Sequence, residues 1–358
     1  MAKGLLTTNV GSFPKPEWLM RARTKFQKGE ISDADLRALE KKATLEIIRL
    51  QEELGLDILV HGEMERGDMT TYFAEKLEGM GVSGLIRSYG NRYYRKPVVQ
   101  GKLRRNGAMT VDAYLEAQAL TKLPVKGMLT GPYTMTDWSF NDYYPNRRDL
   151  ILAFAEVLHE EVKDLEQAGA EYIQIDEPAL STRPDEIDLA IEALGIVTKG
   201  IKAKTLTHIC YGHFETIYPK LLDLPVDQLD LEVTNGDFAL LDLLKTHPFH
   251  KEIGLGVVDV HTHRIESVSE IKKGIEKALE FIPAEQIFVD PDCGLKTRTM
   301  DESIAKLKNM VTAVQEVKTE RGIQWKRGGS LAPPRFTYLQ HLETYRQLIV
   351  FARPNKSP

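Results

Sequence analysis

The amino-acid sequence predicts an α/β protein folded as a (β/α)8 TIM barrel. Eight short β-type runs alternate with helical patterns, and no shift in composition divides the series. Residues capable of chemistry follow the carboxyl ends of most of these runs, which is where barrel enzymes build their sites. The chain has 358 residues, a length that barrels with insertions commonly reach in one domain. We therefore expect a single barrel that occupies most of the chain.

The predicted strands are short runs of apolar and β-branched residues bounded by turn residues. They lie at 5–10, 57–60, 125–129, 172–175, 205–207, 228–233, 253–258 and 286–289. Between the first two runs, Ser32 and Asp35 form a capping pair, and apolar residues then recur at spacings of three and four. This pattern predicts a helix that ends at Gly55. Similar helical patterns occupy 150–167 and 268–281.

One segment interrupts the alternation between the second and third strands. Residues 83–106 combine tyrosines and a short β-branched run with basic residues, which predicts an inserted β-hairpin. Six of its basic residues follow position 90, namely Arg92, Arg95, Lys96, Lys102, Arg104 and Arg105. A solvated ribbon explains this pattern, and a docking surface for an anionic partner is the alternative.

The chain also continues beyond the eighth unit. The Gly- and Pro-containing stretch 327–334 indicates a linker, and 339–352 has a helical pattern. We expect the barrel to span 1–320 and a carboxyl-terminal extension, 321–358, to pack on it.

Composition excludes several classes of protein. The formal charge of −5 and the pI near 6.1 argue against a general nucleic-acid surface. No apolar run approaches the roughly 18 residues that a membrane span requires, and the first residues lack the apolar segment of a signal peptide. The two cysteines do not form a disulfide framework. We expect a cytoplasmic protein whose thiols are free for metal binding or reactivity.

The stretch Thr207-His208-Ile209-Cys210 places an imidazole and a thiol on one face at the end of the fifth strand. These two ligand types suit zinc. Alone, such a pair is more often a core thiol beside a hydrogen-bonded histidine than a metal site. The other cysteine, Cys293, follows the eighth strand in the same way, which favours a shared metal.

The chemically capable residues fall on one predicted rim. They are Ser12, Glu63, Glu65, Trp138, Asp176, Glu177, His208, Cys210, Glu232, Asp259, His261, Asp292 and Cys293. Taken singly, each has an ordinary explanation, since acidic residues cap helices or pair with lysines and histidines cluster on surfaces. Their common position at strand ends favours one functional site.

A zinc ion held by His208, Cys210, Glu232 and Cys293 would be tetrahedral. Three anionic ligands and one neutral imidazole leave a net charge near −1. Such a centre activates water poorly but keeps a bound thiol ionised and electron-rich, which favours thiol alkylation over hydrolysis. A closed structural zinc is the alternative, although such sites usually join short local loops.

Six motifs in order then resemble the catalytic half of cobalamin-independent methionine synthases. They are Val10-Gly11-Ser12-Phe13-Pro14, His61-Gly62-Glu63-Met64-Glu65-Arg66, Lys126-Gly127-Met128-Leu129-Thr130-Gly131-Pro132, Gln174-Ile175-Asp176-Glu177-Pro178-Ala179-Leu180, His208-Ile209-Cys210-Tyr211 and Asp290-Pro291-Asp292-Cys293-Gly294-Leu295-Lys296-Thr297-Arg298. The resemblance covers about 5–317. It implies transfer of a methyl group to the zinc-bound thiol of homocysteine, giving methionine.

The resemblance also implies roles for individual residues. His208, Cys210, Glu232 and Cys293 match the family's zinc ligands. Ser12, Glu63 and Asp176 match residues that hold the amino and carboxylate groups of homocysteine, and Trp138 matches a folate-stacking tryptophan. His261 resembles the family's proton donor, and Asp259 in the same stretch is counted with it as a candidate catalytic residue.

The methyl donor is the least determined part of this expectation. The sequence resembles the short, core-only branch of the family, for which methylcobalamin or a methylated corrinoid protein is the implied donor. Retention of His261 and Trp138 favours methyltetrahydrofolate, and Tyr93 and His263 depart from the family pattern. We place the corrinoid first and the folate second.

Two other functions remain open from the sequence. One is a zinc methyltransferase that acts on a different thiol, such as coenzyme M, and the candidate amino-acid contacts Glu63 and Asp176 argue against it. The other is a non-catalytic carrier of homocysteine or methionine with a structural zinc, which the number of polar residues on one rim disfavours.

Overall fold

The computed structural model describes residues 4–87, 93–210, 214–234 and 238–323. The strands in this part of the chain are β1 Leu6–Thr7, β2 Leu77–Arg87, β3 Tyr93–Arg105, β4 Gly127–Thr130, β5 Phe140–Asn141, β6 Tyr172–Asp176, β7 Lys204–Ile209, β8 Gln228–Glu232, β9 Glu252–Gly256 and β10 Ile287–Asp290. The helices are α1 Glu17–Gln27, α2 Asp33–Leu54, α3 Thr71–Ala74, α4 Val111–Gln118, α5 Pro132–Asp137, α6 Arg147–Gln167, α7 Ile187–Val197, α8 Ala239–Leu243, α9 Val268–Ala278 and α10 Met300–Glu320.

A curled parallel sheet forms the centre of the molecule. Among the described residues it contains seven strands in the order β1-β10-β9-β8-β7-β6-β4, and each pairing is parallel. Helices lie between successive strands and cover the outside, which is why the apolar strands are buried on both faces. The expected α/β barrel is confirmed.

The second predicted strand, 57–60, is reduced to a short connection that closes the ring. The backbone N–H of Asp57 donates to the carbonyl of Thr7 at 2.9 Å, and the N–H of Lys126 donates to the carbonyl of Leu59 at 2.9 Å. Leu59 and Val125 form an isolated parallel bridge. These bonds join β1 to the start of β4, so 57–60 occupies an eighth strand position without forming a full strand.

The helix predicted after the first strand runs as expected. The Ser32 side chain accepts from the backbone N–H of Asp35, and the Asp35 carboxylate accepts from the backbone N–H of Ser32, which completes the capping box. The buried face of α2 includes Leu36, Ile47 and Leu54. None of the helices in the described part of the chain is long and apolar enough to cross a membrane.

The inserted hairpin is present between the second and third barrel positions, and it begins earlier than predicted. Its strands β2 and β3 are antiparallel, and β5 joins β3 in parallel. Lys102 and Arg104 are exposed, but Arg105 turns towards α6, where its Nη1 lies 2.9 Å from Glu161 Oε2. One of the six basic residues is therefore part of the packing. Arg92, the linker 327–334 and the helix predicted at 339–352 lie outside the described residues.

Candidate metal centre and substrate site

Three side chains meet at the carboxyl ends of β7 and β10. The ligand atoms of His208, Cys210 and Cys293 all lie within 4.8 Å of one another, and the two sulfur atoms are 3.9 Å apart. His208 and Cys210 are buried, and Cys293 is partly buried. The sequence prediction that the two distant cysteines share a site with this histidine agrees with their positions.

The chemistry of these three groups fits a zinc ion. His208 Nε2 is buried and has no hydrogen-bond partner of normal geometry among the described residues, so this nitrogen is open to a metal ion. The hydrogen bond with Cys210 lowers the pKa of the Cys293 thiol well below its ordinary value, while the same bond and burial raise the pKa of Cys210. The lowered pKa of Cys293 favours its thiolate, the form that binds metals.

A carboxylate on the neighbouring strand contacts the other ring nitrogen of His208. His208 and Asp230 are paired residues of β7 and β8, and Asp230 Oδ1 lies 3.2 Å from His208 Nδ1. Metal-binding histidines usually donate their second N–H to such a carboxylate, which sets the tautomer and orients the ring. The sequence analysis did not single out Asp230.

Glu232 lies at the end of β8 but is not one of the three clustered ligands. Its Oε1 is 3.6 Å from Nε2 of His261, so in this structure it links the predicted acid to the edge of the metal cluster. The hydrogen bond with Glu232 raises the pKa of His261, against an opposing effect of partial burial. The protonated form of the imidazole is therefore favoured while Glu232 faces it.

The loop after β9 holds His261 in place. The backbone N–H of His261 donates to Asp259 Oδ1 at 2.7 Å, so Asp259 shapes the loop and contacts the backbone of the candidate acid. Lys306 of α10 is fully buried beneath this loop and donates to the carbonyl of Asp259 at 2.8 Å. Lys306 also pairs with Glu266 at 2.9 Å.

Two acidic side chains stand beside the metal cluster. Burial raises the pKa of Asp176 to about 7, and the nearby Glu63 acts in the same direction. Asp176 Oδ1 accepts from Gln174 Nε2 at 2.7 Å. Glu63 Oε1 lies 3.7 Å from Nη1 of the buried Arg66, and Glu63 itself has φ 56°, a left-handed conformation. A backbone conformation this uncommon for a glutamate aims the side chain at the cost of some strain.

Ser12 lies against Gly294, the residue that follows the candidate ligand Cys293. A Cβ added to Gly294, the residue after Cys293, would lie 2.2 Å from Ser12 Oγ, so only glycine allows this contact. The backbone N–H of Leu295 also donates to the Ser12 carbonyl at 2.8 Å. Trp138 ends α5, which begins directly after β4, and its side chain is half-buried.

Comparisons with known proteins agree with this geometry. A family model described as "Cobalamin-independent synthase, Catalytic domain" matches residues 5–316. A methionine synthase of Saccharolobus solfataricus is 37% identical over 317 residues, which are 88% of this chain and 96% of that protein. A methionine synthase of Pyrococcus furiosus is 38% identical over 317 residues, which are 88% of this chain and 94% of that protein.

The chain belongs to the cobalamin-independent methionine synthase family.

A solved member of this family has the same fold. The B12-independent methionine synthase from Shewanella sp. W3-18-1, solved in complex with selenomethionine, superposes with a TM-score of 0.80 at 28% identity. The match covers 90% of this chain and 100% of that chain. The family resemblance, the barrel and the enzyme class, a methyltransferase of the methionine synthase kind, are confirmed.

The sequence analysis of this methionine synthase family member did not identify three buried residues as parts of the site. They are Asp230, Lys306 and Arg66. The first had a signal, because Gln228, Asp230 and Glu232 alternate along β8 and thus share the inward face. Lys306 had none, since its partners lie more than 35 positions earlier in the chain.

Proposed function

We propose that this enzyme transfers a methyl group to the thiol of L-homocysteine while zinc holds the sulfur, which yields L-methionine. The observation that carries the proposal is the cluster of His208, Cys210 and the partly buried Cys293, with two acidic side chains beside it. The two cysteines must stay reduced for this purpose, which suits a cytoplasmic enzyme.

The ligand set favours thiol chemistry. His208, Cys210 and Cys293 would hold the ion, with Glu232 as a fourth ligand from the neighbouring strand. When bound, zinc would keep the substrate sulfur as a thiolate at neutral pH. Two thiolates and a carboxylate around the ion donate enough negative charge that the substrate sulfur remains nucleophilic.

The carboxyl groups of Asp176 and Glu63 would bind the amino group of an amino-acid substrate. Asp176 and Glu63 present two carboxyl groups near the metal, and Ser12 Oγ lies beside Cys293 at Gly294. Burial and, to a lesser extent, repulsion from Glu63 raise the pKa of Asp176, and an ammonium group between the two carboxylates would offset both effects. The Ser12 hydroxyl can donate to the substrate carboxylate. A thiol without the amino group has no partner for these carboxylates.

We propose a methylated corrinoid, either free methylcobalamin or a corrinoid protein, as the methyl donor. Departure of reduced cobalt needs no proton, so this donor suits a site in which His261 is engaged with Glu232 at 3.6 Å. The exposed cationic residues Arg95, Lys102 and Arg104 of the hairpin offer a surface for an anionic donor protein.

Methyltetrahydrofolate is the second candidate donor, and two observations favour it. An amine leaves only when it is protonated, and Glu232 raises the pKa of His261 and so favours the protonated imidazole that could supply this proton. The description of the matched family as cobalamin-independent also supports this candidate. Trp138 would then stack on the pterin ring.

Single-turnover formation of methionine from each donor tests the assignment. With a methylated corrinoid, methionine forms without folate and His261→Gln costs little. With methyltetrahydrofolate, His261→Gln removes a general-acid contribution of about a hundredfold to ten-thousandfold. Turnover with methyltetrahydrofolate and none with methylcobalamin would reverse the order of the donors while leaving the zinc and homocysteine proposals intact.

The acceptor is tested separately. Asp176→Asn and Glu63→Gln should raise the KM for homocysteine by about tenfold to a thousandfold, because a charge-assisted contact to an ammonium contributes about 1.5–3 kcal/mol or more. A thiol that lacks the amino group should be a poor substrate for the parent and be affected little by either change. Preference of the parent for coenzyme M over homocysteine would refute the proposed acceptor.

A further inference from the structure

Glu177 is fully buried directly after β6, beside the candidate substrate residue Asp176. Gln174 and Asp176 share the inward face of this strand, since Gln174 Nε2 donates to Asp176 Oδ1 at 2.7 Å. Successive residues of a strand point to opposite faces, so the Glu177 side chain points towards the layer of helices. A buried carboxyl group without partners is costly, and the partners of this one lie on helix α5.

The carboxyl group of Glu177 holds the first turn of α5. Its Oε1 accepts from the backbone N–H of Tyr133 at 3.0 Å, and its Oε2 accepts from the backbone N–H of Thr134 at 2.7 Å. The first N–H groups of a helix have no partner within the helix, so this one side chain satisfies two of them. Gly131 allows the contact, because a Cβ there would lie 2.3 Å from Cδ of Glu177.

Ion pairs hold the other end of the same helix. Asp137, its last residue, accepts from Nη2 of Arg147 at 2.9 Å and from Nε of Arg183 at 2.8 Å. The helix has six residues, a length at which an isolated helix is not stable. Its position therefore depends on the contacts at its two ends. Trp138 follows directly as the C-cap residue, so these contacts also determine where Trp138 lies.

Backbone hydrogen bonds join this region to the rest of the site. The backbone N–H of Glu177 donates to the carbonyl of His208 at 2.9 Å, and the N–H of Gly131 donates to the carbonyl of Asp176 at 2.8 Å. Glu177 thus contacts the strand end that carries a candidate metal ligand as well as the helix that precedes Trp138. A change of its side chain alters only the contact with the helix, because the backbone bonds do not involve that side chain.

We propose that Glu177 is a positioning residue for the methyl donor: it fixes the first turn of α5 and thereby the place of Trp138 relative to Asp176 and the metal ligands. The inference rests on the proposed function, because Trp138 is taken to contact the donor. Glu177 acts through the helix and not through the acceptor. Its loss should therefore impair use of the donor and spare recognition of homocysteine.

Kinetics that separate the two substrates test this role. In Glu177→Gln an amide NH2 group faces one of the two backbone N–H donors, so the first turn of α5 loses a hydrogen bond and shifts. The KM for the donor, methylcobalamin or methyltetrahydrofolate, whichever the parent uses, should rise by about tenfold to a hundredfold, because small displacements of a positioning group have effects of that size. The KM for homocysteine should stay within about threefold of the parent value.

Glu161 of α6 offers a matched control. It is also fully buried, and it holds the start of α4 in the same way, accepting from the backbone N–H of Met109 at 2.9 Å and from that of Thr110 at 2.7 Å. Glu161→Gln should lower the melting temperature, as Glu177→Gln does, because each variant disturbs a buried hydrogen-bonded carboxyl group. It should leave both KM values unchanged, since α4 carries no candidate site residue.

A spectroscopic readout needs no turnover. The chain has three tryptophans, so protein labelled with fluorotryptophan gives one fluorine resonance for each, and Trp138→Phe assigns the relevant one. The Trp138 resonance should shift in Glu177→Gln and keep its position in Glu161→Gln. Should Glu177→Gln not fold, Arg147→Met tests the same helix from its other end, because it removes one of the two ion pairs of Asp137. It should shift the Trp138 resonance as well.

Failure of the inference is distinguishable from failure of the proposed function. A parent that forms no methionine from homocysteine with either donor would overturn the proposed function and, with it, the assignment of Trp138 to the donor. An unmoved Trp138 resonance in Glu177→Gln, in an active parent, would overturn the inference alone. The inference would also be wrong if the KM for homocysteine rose as much as the KM for the donor, or if Glu161→Gln caused the same changes.

Discussion

The two thiols of the site differ in their surroundings. Cys210 is buried at the end of β7, while Cys293 is partly buried beside Gly294 and Ser12. Their mutual hydrogen bond lowers the pKa of Cys293 and raises the pKa of Cys210. At the scale of single residues, the site therefore depends on a few hydrogen bonds and ion pairs between buried side chains, because a buried charge needs a specific partner.

Metal content should depend on both cysteines. Cys210→Ser and Cys293→Ser should each lose bound zinc and activity, because a serine hydroxyl does not ionise at neutral pH and binds zinc poorly. The barrel should still fold, since serine is nearly isosteric. Glu232→Ala should retain more zinc, as Glu232 lies outside the three-residue cluster.

Elemental analysis and circular dichroism of the three variants check this prediction. We expect one zinc per chain in the parent. A full equivalent of zinc in either cysteine variant would exclude the site as described.

Binding of methionine should depend on pH through Asp176. Its pKa is raised to about 7 by burial, and only the ionised carboxylate pairs with the ammonium of the ligand. Affinity should therefore rise as the pH increases through 7, and fall by at most about tenfold per unit below it. Methionine is preferred to homocysteine here because it has no thiol that titrates.

Calorimetric titration of methionine into metal-free protein, from about pH 5.5 to about pH 8.5, measures this dependence. Asp176→Asn should bind weakly and without the pH dependence. If the variant kept the slope of the parent, the titrating group would be another residue.

At the scale of secondary structure, α10 supports the loop that carries His261. Lys306 contacts the carbonyls of Asp259 and Arg264 and pairs with Glu266. The same helix contributes Glu302, whose Oε1 lies 2.7 Å from His263 Nδ1. The loop is therefore anchored at several points by one helix, which accounts for the defined position of a partly exposed histidine.

Lys306→Met should loosen this loop and destabilise the protein. It leaves Glu266 buried without its partner, which costs about 3–5 kcal/mol for a typical buried pair. Adding Glu266→Gln should recover part of that stability. Amide exchange across 259–266 should stay fast in the double variant, because the two backbone carbonyls remain without a donor.

Hydrogen exchange detected by mass spectrometry distinguishes the loop from the barrel. Lys272→Met is the control, since the ion pairs of Lys272 are with Glu316 and Glu320 of α10, at 3.1 and 2.6 Å, and not with the carbonyls or carboxylate of the loop that bind Lys306. The prediction would be wrong if exchange in the loop were unchanged in Lys306→Met, or if the Lys272 variant showed the same acceleration.

At the scale of the whole molecule, the hairpin is the main departure from a simple barrel. The two strands of the hairpin, β2 and β3, form a second sheet with β5. Its basic residues do not act as one group. Lys102 and Arg104 face solvent, while Arg105 is bound to the fully buried Glu161.

Removing the exposed positive charges of the hairpin should slow methyl transfer only when the donor is a protein. Arg95→Ala, Lys102→Ala and Arg104→Ala together should lower the rate with a methylated corrinoid protein, and the difference should shrink at high salt as charges are screened. The rate with free methylcobalamin should not change. Arg105→Ala should instead lower the melting temperature, because it leaves Glu161 unpaired.

Stopped-flow rates at two ionic strengths and thermal melting check both statements. An equal loss with free methylcobalamin would place the hairpin residues in catalysis or folding instead of donor docking.

The sequence by itself determined the architecture and the grouping of three candidate metal ligands. Periodicity of apolar residues gave the order of strands and helices, because burial of one face imposes a repeat that local sequence must carry. His208, Cys210 and Cys293 could be grouped without a structure, since the carboxyl ends of parallel strands converge on one rim.

Only the tertiary structure decided the partners of these residues. The contact of Asp230 with His208 depends on the register of β7 and β8, and the support of the His261 loop by Lys306 joins positions far apart in the chain. The inward turn of Arg105 and the reduction of 57–60 to a bridge are likewise set by packing. Side-chain direction and strand register follow from which surfaces meet in three dimensions, and a local sequence pattern does not contain that information.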